Sequence, residues 1–234
     1  MTHLSAAVAL LLVLFLLIVM PLWGWLEMRR LKREKTGIAL ARTYVTTIVV
    51  MWLIALLCAR LAPPSVLWRS PIGLAHEMRL DTAPSAVIVG TLMVLLVALM
   101  MPVIVASFRP GSLDSQLAQI RFMLPETIAH RWLFALLCIT AGVCEEWIYR
   151  GFLLHLFVTE LPGANGWLIV LAAAVMFGVA HTYQGRSGGV LTGLLGFVFA
   201  LLYISSGSLL LSIIMHALLD LRLLLVLPRV RAAA

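Results

Sequence analysis

Apolar residues in this chain come in long runs separated by short polar stretches, without the alternation of a half-buried strand or the single stripe of a surface helix. Runs of about 20 residues match the length a helix needs to cross the hydrocarbon of a bilayer. The first extends from about Leu4 to Trp25. A second extends from Tyr44 to Leu61 and is closed by Pro63-Pro64, because proline has no N–H to continue the helical ladder. A third covers Pro84 to Ser107. The fourth, Trp132 to Thr159, is interrupted by Glu145, Glu146 and Arg150 and is long enough to tilt or to break near Gly142. Further spans are expected from Trp167 to Tyr183, Val190 to Ser205 and Ser208 to Leu227. The pattern predicts an all-α, polytopic transmembrane bundle of about seven spans. It reads as one integrated membrane domain, with spans and loops over 1–130 followed by a helical core over 131–234.

Composition agrees and narrows the function classes. Of 234 residues, 63% are hydrophobic and 12% charged, with a mean hydropathy of +1.08, against roughly 45–50% apolar and about 25% charged in soluble domains. A soluble globule is excluded. The net charge of +7 does not indicate nucleic acid, because the basic residues lie between apolar runs and are not interleaved with aromatics on one surface. Arg29, Arg30, Lys32, Arg33 and Lys35 form the densest block, directly after the first run, where the positive-inside rule places a cytoplasmic loop. With the amino terminus outside, every Lys and Arg except Arg60, Arg69, Arg79 and Arg150 falls in or beside an inner loop. The external loop, Ala62 to Thr82, then carries His76, Glu77 and Asp81, and an inner loop carries Arg109, Asp114, Arg121, Glu126 and Arg131. The expected setting is a multi-pass protein of a bacterial inner membrane, with the first run a retained anchor and the tail carrying Arg229 and Arg231. Cys58, Cys138 and Cys144 sit inside apolar runs without C-x-x-C spacing, so no disulfide framework is expected and Cys144 reads as an unreactive thiol. Gly189 and Gly193 have the spacing of a close helix-packing face.

The charges inside the fourth run are the anomaly. A charged side chain near the bilayer centre costs on the order of 3 kcal/mol, so Glu145, Glu146 and Arg150 need a reason to be there. Glu146 and Arg150 are four apart and share a helix face, the acid-first orientation that pairs best. Glu145 points about 100° away and keeps no local cation, which is the setting of a general base for water. An ion pair fixing helix register would need Glu146 and Arg150 but not Glu145. Phe177 and His181 are four apart in the fifth run, and His216 and Asp220 four apart in the seventh. Taken together, these groups satisfy one another only by converging on one polar cavity.

The blocks Glu145-Glu146-x-x-x-Arg150, Phe177-x-x-x-His181 and His216-x-x-x-Asp220, in that order, resemble the CPBP family of intramembrane proteases, which includes the CAAX prenyl endopeptidases and bacteriocin-processing enzymes. The resemblance covers about residues 132 to 221, and the Gly-rich helix ending in Tyr203, Ser206, Gly207, Ser208 and Leu209 shares in it. The first three spans take no part. It implies an endopeptidase whose cavity is formed by the later four spans and which acts on a peptide or protein within membrane lipid, with no nucleic acid partner. By position, Glu145 would activate the water, His181 hold or polarise it, Glu146 and Arg150 brace the site, and His216 stabilise the oxyanion with Asp220 beside it. Many relatives have asparagine where this chain has Asp220. An ionised aspartate cannot donate a hydrogen bond, so Asp220 is either protonated or orients His216 and favours its imidazolium.

The family has been described both as metalloproteases and as glutamate proteases. A zinc ion would take Glu145, His181 and His216, but H-E-x-x-H is absent and Glu146 is committed to Arg150, so the expectation is a glutamate mechanism without a cofactor. Two other classes fit the same charges: a non-proteolytic peptide-binding or immunity protein, and a proton-coupled transporter, although no inverted pair of broken helices is present. One tension stands within the reading. His181 falls at the end of its span, whereas Glu145 lies about 21 Å along its helix from Trp132, so the fourth run must tilt or break, or the fifth must enter deeper.

Overall fold

Four polar side chains mark helix starts that the apolar pattern blurs. Thr36, Thr127, Asn165 and Ser208 accept hydrogen bonds from the backbone N–H groups of Ala39, His130, Trp167 and Leu210, at 2.9–3.3 Å, meeting donors that a helix start leaves free. The computed structural model describes residues 3–62, 68–71, 73–80, 85–107 and 120–226, and among them the chain is helical apart from turns and one antiparallel bridge, Arg69 to Ser208. Asp81, Arg109, Asp114, Arg229 and Arg231 lie outside the described residues.

Helix α1 (His3–Leu14) passes through a π-helical turn, Phe15–Val19, into α2 (Met20–Glu34). Then come α3 (Gly37–Leu61), the short α4 (Leu74–Glu77), α5 (Ser85–Ser107) and α6 (Ile128–Glu145). A second π-helical turn, Glu146–Leu153, leads into α7 (Leu154–Glu160). They are followed by α8 (Gly166–Ala180), α9 (Arg186–Ser206), α10 (Leu209–Leu221) and the short α11 (Leu223–Val226). Among the described residues, four segments are long and apolar enough to cross a membrane: Ala7–Glu34, Gly37–Leu61, Ile128–Glu160 and Arg186–Ser206. Outward-facing Leu10, Leu53, Leu168 and Leu194 are each about 60% exposed, which suits a lipid-facing surface.

The seven-span expectation is thereby corrected to four segments of spanning length plus shorter apolar helices. Helix α8 has 15 residues and α10 has 13, short of the roughly 20 that carry a straight helix across hydrocarbon. Hydropathy counts apolar residues whatever their conformation, but only helical ones advance about 1.5 Å each along an axis. The run after α8 turns into a 3-10 segment, Thr182–Gln184, and that after α10 breaks at Arg222. The basic block also differs from expectation. Arg29, Arg30, Lys32 and Arg33 continue α2 and are not a loop, because Met28 and Leu31 on the same helix are buried. Arg30 bridges Glu27 at 2.8 Å and Glu34 at 3.0 Å along it, pairs that support a helix.

Small residues decide how closely the later helices approach. A Cβ on Gly178 would lie 2.7 Å from the Gly189 carbonyl oxygen and 3.1 Å from Gly193 Cα, so α8 and α9 meet backbone to backbone. A Cβ on Gly142 would lie 2.9 Å from the backbone nitrogen of Ala217, where α6 crosses α10. Helix α3 packs on α6 through Tyr44 and Phe134, whose rings are 5.7 Å apart. Gly207, with φ at +70°, ends α9 in the left-handed conformation that glycine adopts without strain and turns the chain back into α10.

Candidate active site

Glu145 is the last residue of α6 and Glu146 the first of the π-helical turn. A π turn inserts one residue into a helix, and such turns occur at functional sites. Here the helix stays continuous while the polar block lies on its inner side. Glu146 is fully buried and Arg150 is 2% exposed, and Glu146 Oε1 lies 2.9 Å from Arg150 Nη1. The guanidinium sits over the Phe177 ring, 4.2 Å from its centroid, and within 5.6 Å of that of Phe199. Aromatic faces carry partial negative charge, so they partly replace the water the cation has lost. Gly196 on α9 makes the room, since a Cβ there would lie 2.9 Å from Phe177 and 3.2 Å from Arg150 Nη2.

His216 on α10 donates from Nδ1 to Glu146 Oε1 at 2.8 Å. Its ring stacks on Phe199, 5.2 Å between centroids with planes 12° apart, and meets Phe177 edge-on at 6.1 Å. His181 occupies the C-cap position of α8, and its Nδ1 is 2.8 Å from the Phe177 carbonyl. A carbonyl oxygen only accepts, so the hydrogen is on Nδ1 and Nε2 presents a lone pair. Glu145 Oε2 lies 3.7 Å from His181 Nε2 and 3.7 Å from His216 Nε2. Separations of this size, beyond direct hydrogen bonding, suit an intervening water. Asp220 Oδ2 is 3.7 Å from His216 Nε2, and its side chain is 42% exposed.

All six residues singled out in the sequence therefore meet in one cluster: Glu145, Glu146, Arg150, His181, His216 and Asp220. The tension between the depths of His181 and Glu145 disappears, because α8 ends at Ala180 and delivers His181 directly to the end of α6. Among the described residues no group of three or more His, Cys, Asp or Glu side chains is arranged to hold a metal ion. Glu146 is already engaged by Arg150 and His216, and a further cation would sit beside a buried guanidinium. Cys144 is fully buried and unpaired, as expected of a packing thiol.

Two members of the cluster, Glu145 and His181, reach the wall of a cavity of about 130 Å³. Glu145, Tyr149, His181 and Tyr183 line it together with Leu16, Met20, Trp23, Met51 and Ile54. The expectation that the later helices form the cavity is corrected, because the first π-helical turn, α2 and α3 contribute much of the wall. Sequence reasoning also missed Phe199, which aligns His216, and the two tyrosines. Tyr149 left a signal, standing four residues after Glu145 as Arg150 stands after Glu146. Phe199 and Tyr183 left none beyond ordinary aromatic content.

Fold and site define a class: a helical, multi-pass membrane protein with a buried glutamate–histidine–arginine centre that reaches an apolar cavity through Glu145 and His181. Residues 127–222, from the cap of α6 to just past the end of α10, match the family described as Rce1-like, Type II CAAX prenyl endopeptidase Rce1-like. That segment holds every residue of the cluster. No curated protein and no solved structure matches the chain.

Proposed function

We propose that the protein is an intramembrane endopeptidase of the CPBP type that hydrolyses a peptide bond with a water activated by Glu145. The observation that carries this reading is the position of Glu145 Oε2, 3.7 Å from the Nε2 atoms of two imidazoles on different helices, beside an apolar cavity. A water held there donates one hydrogen to Glu145 Oε2 and the other to the His181 Nε2 lone pair, and turns an oxygen lone pair towards an incoming carbonyl carbon. Glu145 takes the proton as the new C–O bond forms. The same proton then passes to the amide nitrogen as the C–N bond breaks.

The developing oxyanion faces His216. With Nδ1–H committed to Glu146, that ring donates from Nε2 only as an imidazolium, a state that the carboxylates of Glu146 and Asp220 favour. Asp220 thereby performs electrostatically what an asparagine performs as a direct donor. Arg150 acts through Glu146, fixing the carboxylate that orients His216. The substrate is a peptide segment presented at or within the membrane, and the chain is oriented with its amino terminus outside, as the basic residues indicate. The catalytic unit is the 131–234 core, completed by the wall that the earlier helices contribute.

Glu145→Gln tests the assignment, because it keeps shape and hydrogen bonding while removing the base. Positioned acid–base groups contribute about 10²–10⁴-fold to rate, so cleavage should fall at least a hundredfold in a protein with unchanged thermal stability. Undiminished turnover would remove Glu145 from the chemistry. Uptake driven by a pH gradient in liposomes, without cleavage products, would instead favour the transporter class.

A further inference from the structure

The four tyrosines of this chain are not used alike. The hydroxyl of Tyr44 donates to the Met123 carbonyl and that of Tyr203 to the Arg69 carbonyl, so both tie helices to neighbouring segments. Tyr183 accepts a hydrogen bond from the Gln184 side-chain amide at 3.2 Å, which leaves its own O–H free to donate. The Tyr149 hydroxyl has no hydrogen-bond partner among the described residues, although the residue is 5% exposed. Buried tyrosine hydroxyls ordinarily find partners. Tyr44, Tyr149 and Tyr183 all line the cavity that Glu145 and His181 reach, and among the described residues only Tyr44 of the three has its hydroxyl hydrogen spent on a backbone carbonyl.

Their rings are held firmly enough to aim a hydroxyl. Tyr149 packs edge-on against Phe177, with centroids 5.0 Å apart and planes at 72°, and Phe177 is the residue whose carbonyl orients His181. Tyr183 lies 5.7 Å from the His181 ring, and Gly24 on α2 lets it approach so closely that a Cβ there would be 3.1 Å from its ring. Most of the surrounding wall is apolar, as at Met20, Trp23 and Ile54. A peptide entering such a space loses water from its backbone carbonyls, and a carbonyl left there without a donor weakens binding.

We propose that Tyr149 and Tyr183 are substrate-binding residues whose hydroxyls donate to backbone carbonyls of an extended peptide on either side of the scissile bond. This rests on the endopeptidase reading for its substrate class, but it concerns binding and needs no proton transfer by either phenol. It accounts for two unspent donors in a buried apolar space next to the base. It also explains why the sequence places Tyr149 one turn after Glu145: the base and the donor that registers the substrate against it ride on the same piece of helix.

The test uses the full-length protein in lipid nanodiscs, carrying Glu145→Gln so that bound peptide is not consumed. The probe is a pool of fluorescein-labelled, amidated octapeptides of apolar sequence. Tyr149→Phe in that background keeps the ring packing and removes one neutral hydrogen bond, so the dissociation constant should rise about fivefold, as expected for roughly 1 kcal/mol. Tyr183→Phe should act similarly, with melting temperatures unchanged in both. In the Glu145-containing protein the same changes should raise KM more than they lower kcat. Affinities within twofold of the parent for both variants overturn the proposal, as does failure of the Glu145→Gln protein to retain any peptide. Binding that depends on Tyr149 in a protein whose Glu145-containing form cleaves nothing would refute the protease reading and leave this one standing. Cleavage indifferent to both phenols would do the reverse.

Discussion

Replacing Arg150 by methionine tests whether the buried ion pair holds the site together. Methionine fills much of the same volume and keeps contact with Phe177 and Phe199, so the change is chiefly the loss of charge. Glu146 is fully buried, with Oε1 2.9 Å from Arg150 and 2.8 Å from His216. Without Arg150, the carboxylate loses its guanidinium in a place that water does not reach. Removing one partner of a buried pair costs about 3–5 kcal/mol, and the lost contact of a desolvated cation with Phe177 belongs to the same order, about 2 kcal/mol. The lower figure alone is a shift of roughly 150-fold in the unfolding equilibrium. Unfolding in mixed detergent micelles with rising dodecyl sulfate, followed by tryptophan fluorescence, should show Arg150→Met destabilised by at least about 3 kcal/mol. The double variant Glu146→Gln/Arg150→Met should recover most of that loss, because it leaves no charge stranded. A single variant within about 1 kcal/mol of the parent, below the cost of breaking a buried pair, would refute the reasoning. So would a double variant no more stable than the single.

Two further outcomes follow from the packing and the site. Gly178→Ala would set a Cβ 2.7 Å from the Gly189 carbonyl oxygen; backbone cannot yield as a side chain can, so a loss of about 1–3 kcal/mol is expected, with a fall in cleavage because His181 follows three residues later. Gly90→Ala is the control, since nothing lies within 4 Å of a Cβ there, and it should leave stability unchanged or raise it by up to about 1 kcal/mol; equal effects at the two positions, read by the same unfolding titration, would show that helix approach is not the cause. Cleavage should also survive prolonged dialysis against EDTA and 1,10-phenanthroline, because Glu146 is spent on Arg150 and His216. Activity lost on chelation and restored by zinc would replace the glutamate mechanism with a metal-assisted one.

The local part of the site could be read from spacing alone. Glu146 and Arg150 are four residues apart, and helical geometry brings such residues together whatever surrounds them; they do pair. The cost of leaving charge in hydrocarbon likewise implied that Glu145, His181, His216 and Asp220 converge; they meet in one cluster, although of the four only Glu145 and His181 line the cavity. Helix ends were less legible. The apolar run through Tyr183 reads as one span, yet the chain leaves α-helical geometry at His181, because the 3-10 turn, Thr182–Gln184, is set by contacts with α2 and α9 and not by hydropathy. The basic block reads as a loop, yet Met28 and Leu31 have a core to enter, and burying them carries the helix on to Glu34.

Sequence by itself determined that this chain is a helical membrane protein and which ionisable groups had to meet, because both follow from local spacing and from the penalty for unpaired charge in an apolar medium. Tertiary structure alone decided how they meet. The stacking of His216 on Phe199, the 3.7 Å separations around Glu145, and the wall that α2 and α3 add to the cavity depend on helix approach and rotation. Those quantities are set by the summed packing of residues far apart in the chain, and no periodicity in the sequence encodes them.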